Sequence, residues 1–341
     1  MTGGRSGSAG MLRGINMSPA GRGAEATPWP EVNARRGVEG SAPVGGIAEV
    51  ARMAAMAPDP PRQPPSLQPL VISAPFGNYV QPAGATATLG TFTALPRPGR
   101  VWRIIKTVRR YRRLGAWVNR IGLRNPGIEW LARRVRAGRV DPADKLISIH
   151  GFDESEWTKL LDEAVGLKPL GVELNMSCPN VGEVDWPPML FAEAAAKCEA
   201  AGAVVVVKLP PIRYELIVEQ ALAGGIAAFH CCNTLPVPGG GMSGRPLKPL
   251  SLHCIGRLRA DLAGDGAGAL TIIGGGGIAG CDDIDDYADA GATRFALGTK
   301  VMHPRYLFSA APLTPLLDRA RERGGEPRPD HRGQRPDDGG Q

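Results

Sequence analysis

Between residues 69 and 317, short runs of apolar and β-branched residues alternate with segments whose apolar positions recur at every third or fourth residue. The first kind predicts strands and the second amphipathic helices. Eight strands are expected, at Leu70–Ala74, Thr86–Phe92, Leu146–His150, Leu170–Met176, Ala203–Leu209, Ile226–Cys232, Leu270–Ile273 and Arg294–Leu297. Helical spacing follows the later strands, over Glu154–Leu167, Met189–Ala201, Tyr214–Ala223, Leu252–Leu262 and Asp282–Ala290, with a last helix near Leu313–Ala320. Regular alternation of the two predicts a parallel sheet with crossover helices. Eight strands in about 250 residues predict an α/β fold closed as a (β/α)8 TIM barrel. Its first crossover is irregular, because Pro75 to Ala85 is shorter than the roughly dozen residues that a parallel crossover needs.

The flanks carry no such pattern. Residues 1–68 are rich in Gly, Pro, Ala and Arg with one aromatic, Trp29, and after Leu317 no apolar side chain is larger than that of Ala320. Neither flank can bury enough surface to offset its ordering entropy. The expected organisation is therefore a disordered extension at 1–68, one barrel domain at 69–317 and a disordered tail at 318–341. No run of 18 uncharged apolar residues occurs, so no transmembrane helix is predicted. The six cysteines form no C-x-x-C pair, which argues against a zinc or iron–sulfur site, and a reducing cytoplasmic location is expected.

The net charge of +7 has a definite location. Arg100, Arg103, Lys106, Arg109, Arg110, Arg112 and Arg113 equal the whole excess and lie in one acid-free stretch. There Val101, Ile104, Ile105, Val108 and Tyr111 recur at helical spacing. The favoured reading of 100–113 is a helix packed on the barrel with a solvated basic face. Contact with an anionic membrane surface or an acidic partner is second to it, and nucleic acid is not an expected partner.

In a barrel of this kind chemistry sits at the C-terminal ends of the strands. Strand four runs into Asn175-Met176-Ser177-Cys178-Pro179-Asn180, strand five closes on Lys208, and strand six ends in Cys232-Asn233-Thr234. Strand seven ends in Gly274 to Gly277 and strand eight in Gly298-Thr299, two turns whose backbone N–H groups suit a phosphate. The loop Gly239 to Arg245, with Gly244, adds further amides. Lys208 would point into the barrel mouth, where it needs an anion. The options are a salt bridge with Glu173, a Schiff base, or a ligand on which negative charge develops. Cys178 is either inert filler or, as its polar loop context favours, a proton-transfer or nucleophilic group, while Asn119, Asn125, Asn175, Asn180 and Asn233 suit a flat, amide-bearing ligand.

These residues resemble the dihydroorotate dehydrogenases, FMN-containing barrels that oxidise dihydroorotate to orotate in pyrimidine synthesis. The match runs through Asn119-Arg120-Ile121-Gly122-Leu123-Arg124-Asn125, Ile149-His150-Gly151-Phe152, Glu173 to Asn180, Val207-Lys208-Leu209, Asn233-Thr234, Gly244 to Pro249, Ile273 to Ile278 and Gly298-Thr299. Asn-x-Ser-Cys-Pro-Asn is the most specific of these stretches. The resemblance implies that Cys178 is the general base, as in the cysteine-using, class 1-like branch. It implies that Asn119, Asn175, Asn180, Asn233 and Thr234 bind the substrate, and that Lys208 lies by the flavin. Gly244, Gly276, Gly277, Gly298 and Thr299 would then hold the FMN phosphate. It further implies a small pyrimidine substrate, a homodimer as the candidate assembly, and an electron acceptor that no sequence feature identifies. The departures are at the front. Where the family usually carries a lysine, the sequence reads Pro75-Phe76-Gly77-Asn78-Tyr79 and Leu89-Gly90-Thr91, so weak binding of a carboxylate substrate is expected. A diverged flavin-binding paralogue and a non-redox phosphate-binding synthase are the alternatives.

Overall fold

A computed structural model describes residues 66–176, 186–262 and 270–325. In chain order the first elements are β1 (Leu70–Ile72), β2 (Ala85–Phe92), α1 (Arg100–Thr107), β3 (Arg109–Tyr111), β4 (Ala116–Asn119) and α2 (Ile128–Arg136). They are followed by β5 (Lys145–Ile149), α3 (Glu154–Gly166), β6 (Gly171–Asn175), α4 (Leu190–Ala200), β7 (Val204–Lys208) and α5 (Glu215–Ala223). The rest are β8 (Ala228–Cys231), β9 (Leu235–Val237), β10 (Gly240–Gly244), α6 (Lys248–Asp261), β11 (Thr271–Gly275), α7 (Cys281–Asp289), β12 (Arg294–Leu297) and α8 (Thr314–Arg323). β1, β12, β11, β8, β7, β6, β5 and β2 close into a barrel in that order, all neighbours parallel, and these are the eight expected strands. Between β1 and β2 stands only a 3-10 turn, Phe76–Asn78, in agreement with the short crossover.

Because side chains alternate across a strand, every second residue enters the barrel. Val71, Leu146, Val206, Ile273 and Ala296 form one apolar cluster, joined by Leu67. Two positions further along the same inward rows come Ser148 and Lys208, with Glu173 and His230 on the neighbouring strands, all buried. The outward rows pack against helices. α3 shows why those helices form: Asp153 caps it by accepting from Glu156 N (2.9 Å), and Trp157, Leu160, Leu161 and Ala164 bury one face.

Several expectations are corrected. The basic stretch 100–113 is not one barrel-packed helix. α1 stops at Thr107, none of its residues is buried, and the chain continues into β3. β3, β4, β10 and β9 form a separate antiparallel sheet, with Ser243 opposite Trp117 and Trp117 opposite Arg110. Gly240, Gly241 and Gly244 leave β10 only two side chains to signal a strand, so the sequence reads as a loop there. The barrel also extends past residue 317. Leu316, Leu317 and Ala320 of α8 are buried, and Arg319 pairs with Asp285 of α7 at 2.8 Å. At the other end, Leu67 O accepts from Arg294 Nε (2.9 Å) and Gln68 N donates to Thr86 Oγ1 (3.0 Å), so the barrel includes these two residues. Residues 1–65 and 326–341, assigned to the extension and tail, lie outside the described residues.

Candidate active site

A cavity of about 250 Å³ opens at the C-terminal ends of the barrel strands, between them and the small antiparallel sheet. Of the residues singled out from the sequence, Asn119, Asn175, Lys208, Asn233, Thr234, Gly276, Gly277, Gly298 and Thr299 all line it. Gly244 stands behind the glycine wall. Cys178 and Asn180 lie outside the described residues.

Register explains the convergence of the polar side chains. Asn175 pairs with Lys208, and Lys208 with His230, across β6, β7 and β8, so their inward side chains share one level. Lys208, only 5% exposed, has its Nζ 3.8 Å from Glu173 Oε1, an ion pair without a hydrogen bond. The other carboxylate oxygen, Oε2, is 2.7 Å from His230 Nδ1. Burial alone would raise the Glu173 carboxyl, but Lys208 and His230 outweigh it and hold it down at about 2. His230 is pushed below its ordinary value, first by burial and then by Lys208. The salt-bridge option for Lys208 is therefore realised, yet the same ammonium also lines the cavity.

Above this pair runs a chain of neutral hydrogen bonds. Ser148 Oγ and Thr91 Oγ1 are 2.9 Å apart, Asn175 Nδ2 donates to Thr91 Oγ1 (3.0 Å), and Asn233 Nδ2 donates to Asn175 Oδ1 (3.1 Å). Thr234 N closes on Asn233 Oδ1 at 2.8 Å. These bonds fix which edge each amide presents to the cavity. Thr91 positions Asn175 through the bond between them. Asn119 Oδ1 accepts from Ile121 N (3.2 Å), which leaves its NH2 without a partner among the described residues. Asn125 also lines the cavity, and its amide is tied to the backbone. Its Oδ1 accepts from Gly127 N (2.8 Å) and Thr93 N (3.2 Å), while its Nδ2 donates to Leu123 O (2.7 Å).

The opposite wall is backbone. Gly244, Gly276 and Gly277 have φ of +99°, +107° and +86°, in the region that favours glycine. A Cβ on Gly277 would meet Gly244 O at 2.9 Å, and one on Gly276 would meet Ser251 Oγ at 3.0 Å. This is a surface kept free of side chains where β10, α6 and β11 meet. Ser251 Oγ there is buried without a hydrogen-bond partner. Backbone N–H groups on a wall without side chains are donors of the kind a phosphate requires, and the neutral amides with Lys208 suit a flat heterocycle. The residues fit a flavin mononucleotide.

Other groups carry no individual role in the sequence reading. His150 Nδ1 donates to Asn175 O (2.7 Å), while its Nε2 is buried without a partner, and burial lowers its pKa despite that bond. Cys231, Cys232 and Cys254, far apart or merely adjacent in sequence, bring their sulfurs within 4.8 Å of one another, and burial pushes the Cys231 thiol up. Arg100 and Arg124 both line the cavity. The expectation of a substrate pocket without a further cation is thus corrected. The charge comes from the long segment between β2 and β5 instead of a strand end, so no strand-end motif marks it.

Comparison with known proteins agrees with this geometry. The family model described as dihydroorotate dehydrogenase matches residues 78–309. The catalytic subunit of dihydroorotate dehydrogenase B (NAD(+)) from Alkaliphilus oremlandii is 31% identical over 214 residues, 56% of this chain and 69% of that protein. Its counterpart from Lachnoclostridium phytofermentans is 32% identical over 243 residues, 63% of this chain and 75% of that protein. Among solved structures, DHODH from Eimeria tenella in complex with ferulenol superposes with a TM-score of 0.57 at 17% identity, over 82% of this chain and 91% of that one, a likeness of fold.

Proposed function

The chain belongs to the dihydroorotate dehydrogenase family, and on that footing we propose that it is an FMN-dependent enzyme that oxidises dihydroorotate, or a closely related dihydropyrimidine, in the cavity at the barrel mouth. The observation that carries the reading is the pairing, in one cavity, of Lys208 with a wall made by Gly276 and Gly277, which Gly244 backs. The backbone of that wall, with Gly298 and Thr299, would hold the phosphate of FMN. When bound, FMN supplies the acceptor for the hydride that leaves the substrate. Lys208 contributes a fixed positive charge that stabilises the electron-rich product of that transfer more than its starting state. Asn119, Asn175 and Asn233, with Thr234, orient the pyrimidine ring through its amide edges. Cys178 would take the C5 proton at Sγ. This role rests on its place in the Asn-x-Ser-Cys-Pro-Asn run directly after β6.

For the substrate carboxylate the cavity offers Arg100 and Arg124. Arg124 Nη1 donates to Pro98 O (3.3 Å), and its Nε is buried without a hydrogen-bond partner. A Schiff-base role for Lys208 is disfavoured by the same geometry: the neutral amine that attacks a carbonyl would deprive the fully buried Glu173 anion of its cation.

The test is direct. Purified protein should carry FMN, and dihydroorotate should bleach the flavin absorbance under anaerobic conditions. Lys208→Met should lose flavin or its reduction, and Cys178→Ser should slow reduction by about 10²–10⁴-fold, the effect of a positioned base. A colourless protein would sink the cofactor assignment, whereas a yellow protein that dihydroorotate leaves oxidised would point to the diverged paralogue.

A further inference from the structure

Helix α1 is built inside out. On a helical wheel Ile104, Val101, Ile105 and Trp102 share one face, and Arg100, Arg103, Lys106 and Thr107 share the other. A surface helix normally buries the first face. Here Val101, Trp102 and Ile105 are 71%, 66% and 68% exposed, and the polar face holds the helix to the protein. Arg100 Nη1 donates to Tyr79 OH (2.9 Å), Arg103 Nη1 to Arg120 O (3.4 Å), and Thr107 Oγ1 accepts from Arg120 N (3.1 Å). Beside the bare apolar face the chain exposes Tyr111 and Leu114, together with Arg109, Arg112 and Arg113. Residues 66–128 carry ten Lys and Arg and no acid, and β9 and β10, which share the sheet with β3 and β4, bring none either. Among the described residues none of these ten cations is in a salt bridge.

We propose that this face, α1 with the β3 strand and the turn after it, docks on the surface of an anionic lipid bilayer. Apolar and aromatic residues flanked by unpaired cations are complementary to such a surface, where acyl chains take the first and headgroups the second. The charge argues against the other occupants. A second copy packing about a two-fold axis would set this acid-free patch against itself, like charge on like. Residues 1–65, with seven arginines against five acids, bring no net negative charge to neutralise it. Arg100 and Trp117 belong both to this region and to the cavity wall, so docking would turn the mouth of the cavity toward the bilayer.

The experiment is vesicle flotation with the full chain, independent of turnover. Vesicles of phosphatidylcholine with one third phosphatidylglycerol should bind at least tenfold more protein than phosphatidylcholine alone, and 0.5 M salt should weaken the binding. Ile105→Glu, and separately the combined Arg109→Glu, Arg112→Glu and Arg113→Glu, should each reduce binding at least tenfold. Circular dichroism and size-exclusion profiles should match the parent, since these side chains are exposed. Equal binding to both vesicle types, no binding, or binding that survives Ile105→Glu would overturn the proposal. So would a dimer in light scattering that Ile105→Glu dissociates while vesicles capture nothing, which would assign the face to a second copy.

Discussion

At the scale of single residues the barrel mouth is governed by three buried groups whose protonation is set by their neighbours. Glu173 stays ionised because Lys208 and His230 flank it, and His150 stays neutral because a second proton on Nε2 would find no acceptor. The consequence for stability has a definite sign. Both histidines have folded values below 6.5, so under that pH the unfolded chain binds protons that the folded chain refuses. Stability should therefore be full above pH 6.5 and fall below it, at up to about 1.4 kcal/mol per pH unit for each histidine. Glu173, depressed from 4.5 to about 2, adds stability that is present above 4.5 and is lost as pH falls toward 2. Urea midpoints at pH 7.5, 6.0 and 5.0 should decline in order, and His150→Gln should make the decline shallower. A flat profile would show that the histidines accept protons inside the fold. The sequence revealed the strand-end amides and Lys208 because strand ends are where a barrel concentrates its chemistry. It concealed His230 and Ser148, since a polar residue within an apolar run is read as an interruption until the strand's parity is known.

At the scale of elements, periodicity located what packing enforces. The eight barrel strands and helices α2 to α8 bury one side or both, so their apolar spacing is a direct imprint of the core. α1 and the small sheet obey no such constraint. α1 has a strong helical pattern whose apolar side meets no protein core, and β9 and β10 are short and rich in glycine, so the pattern misled in one case and was absent in the other. The C-terminal boundary failed for a third reason: Leu316, Leu317 and Ala320 are the last apolar residues of their helix, and its final turn, Arg321 to Arg323, is polar by itself. α8 is nevertheless part of the barrel's outer ring. Leu316→Ala, at a site only 4% exposed, should cost about 2–5 kcal/mol in urea unfolding. A cost under about 0.5 kcal/mol, the level of a surface substitution, would mean that α8 is dispensable to the barrel.

At the scale of the whole molecule, charge is distributed by region: the segment from 66 to 128 is wholly cationic, whereas α7 and α8 pair acids with arginines. The cationic segment also supplies Arg100 and Arg124 to the cavity, so the region where the sequence departs from its family's lysine positions is the one that restores positive charge near the substrate. That restoration leads to a prediction about discrimination between substrates. If Arg124 meets the carboxylate of dihydroorotate, Arg124→Gln removes a charge-assisted hydrogen bond, worth about 1.5–3 kcal/mol, or roughly 10- to 100-fold. The loss should appear in the apparent Kd for dihydroorotate measured by anaerobic flavin reduction. Dihydrouracil, which has the same ring and no carboxylate, should be reduced in affinity by less than about twofold. Added salt should weaken dihydroorotate binding to the parent protein more than to the variant, since part of the attraction screened in the first is already absent in the second. Equal losses for both compounds would show that Arg124 shapes the cavity instead of reading the charge, and would leave Arg100 as the residue to test next.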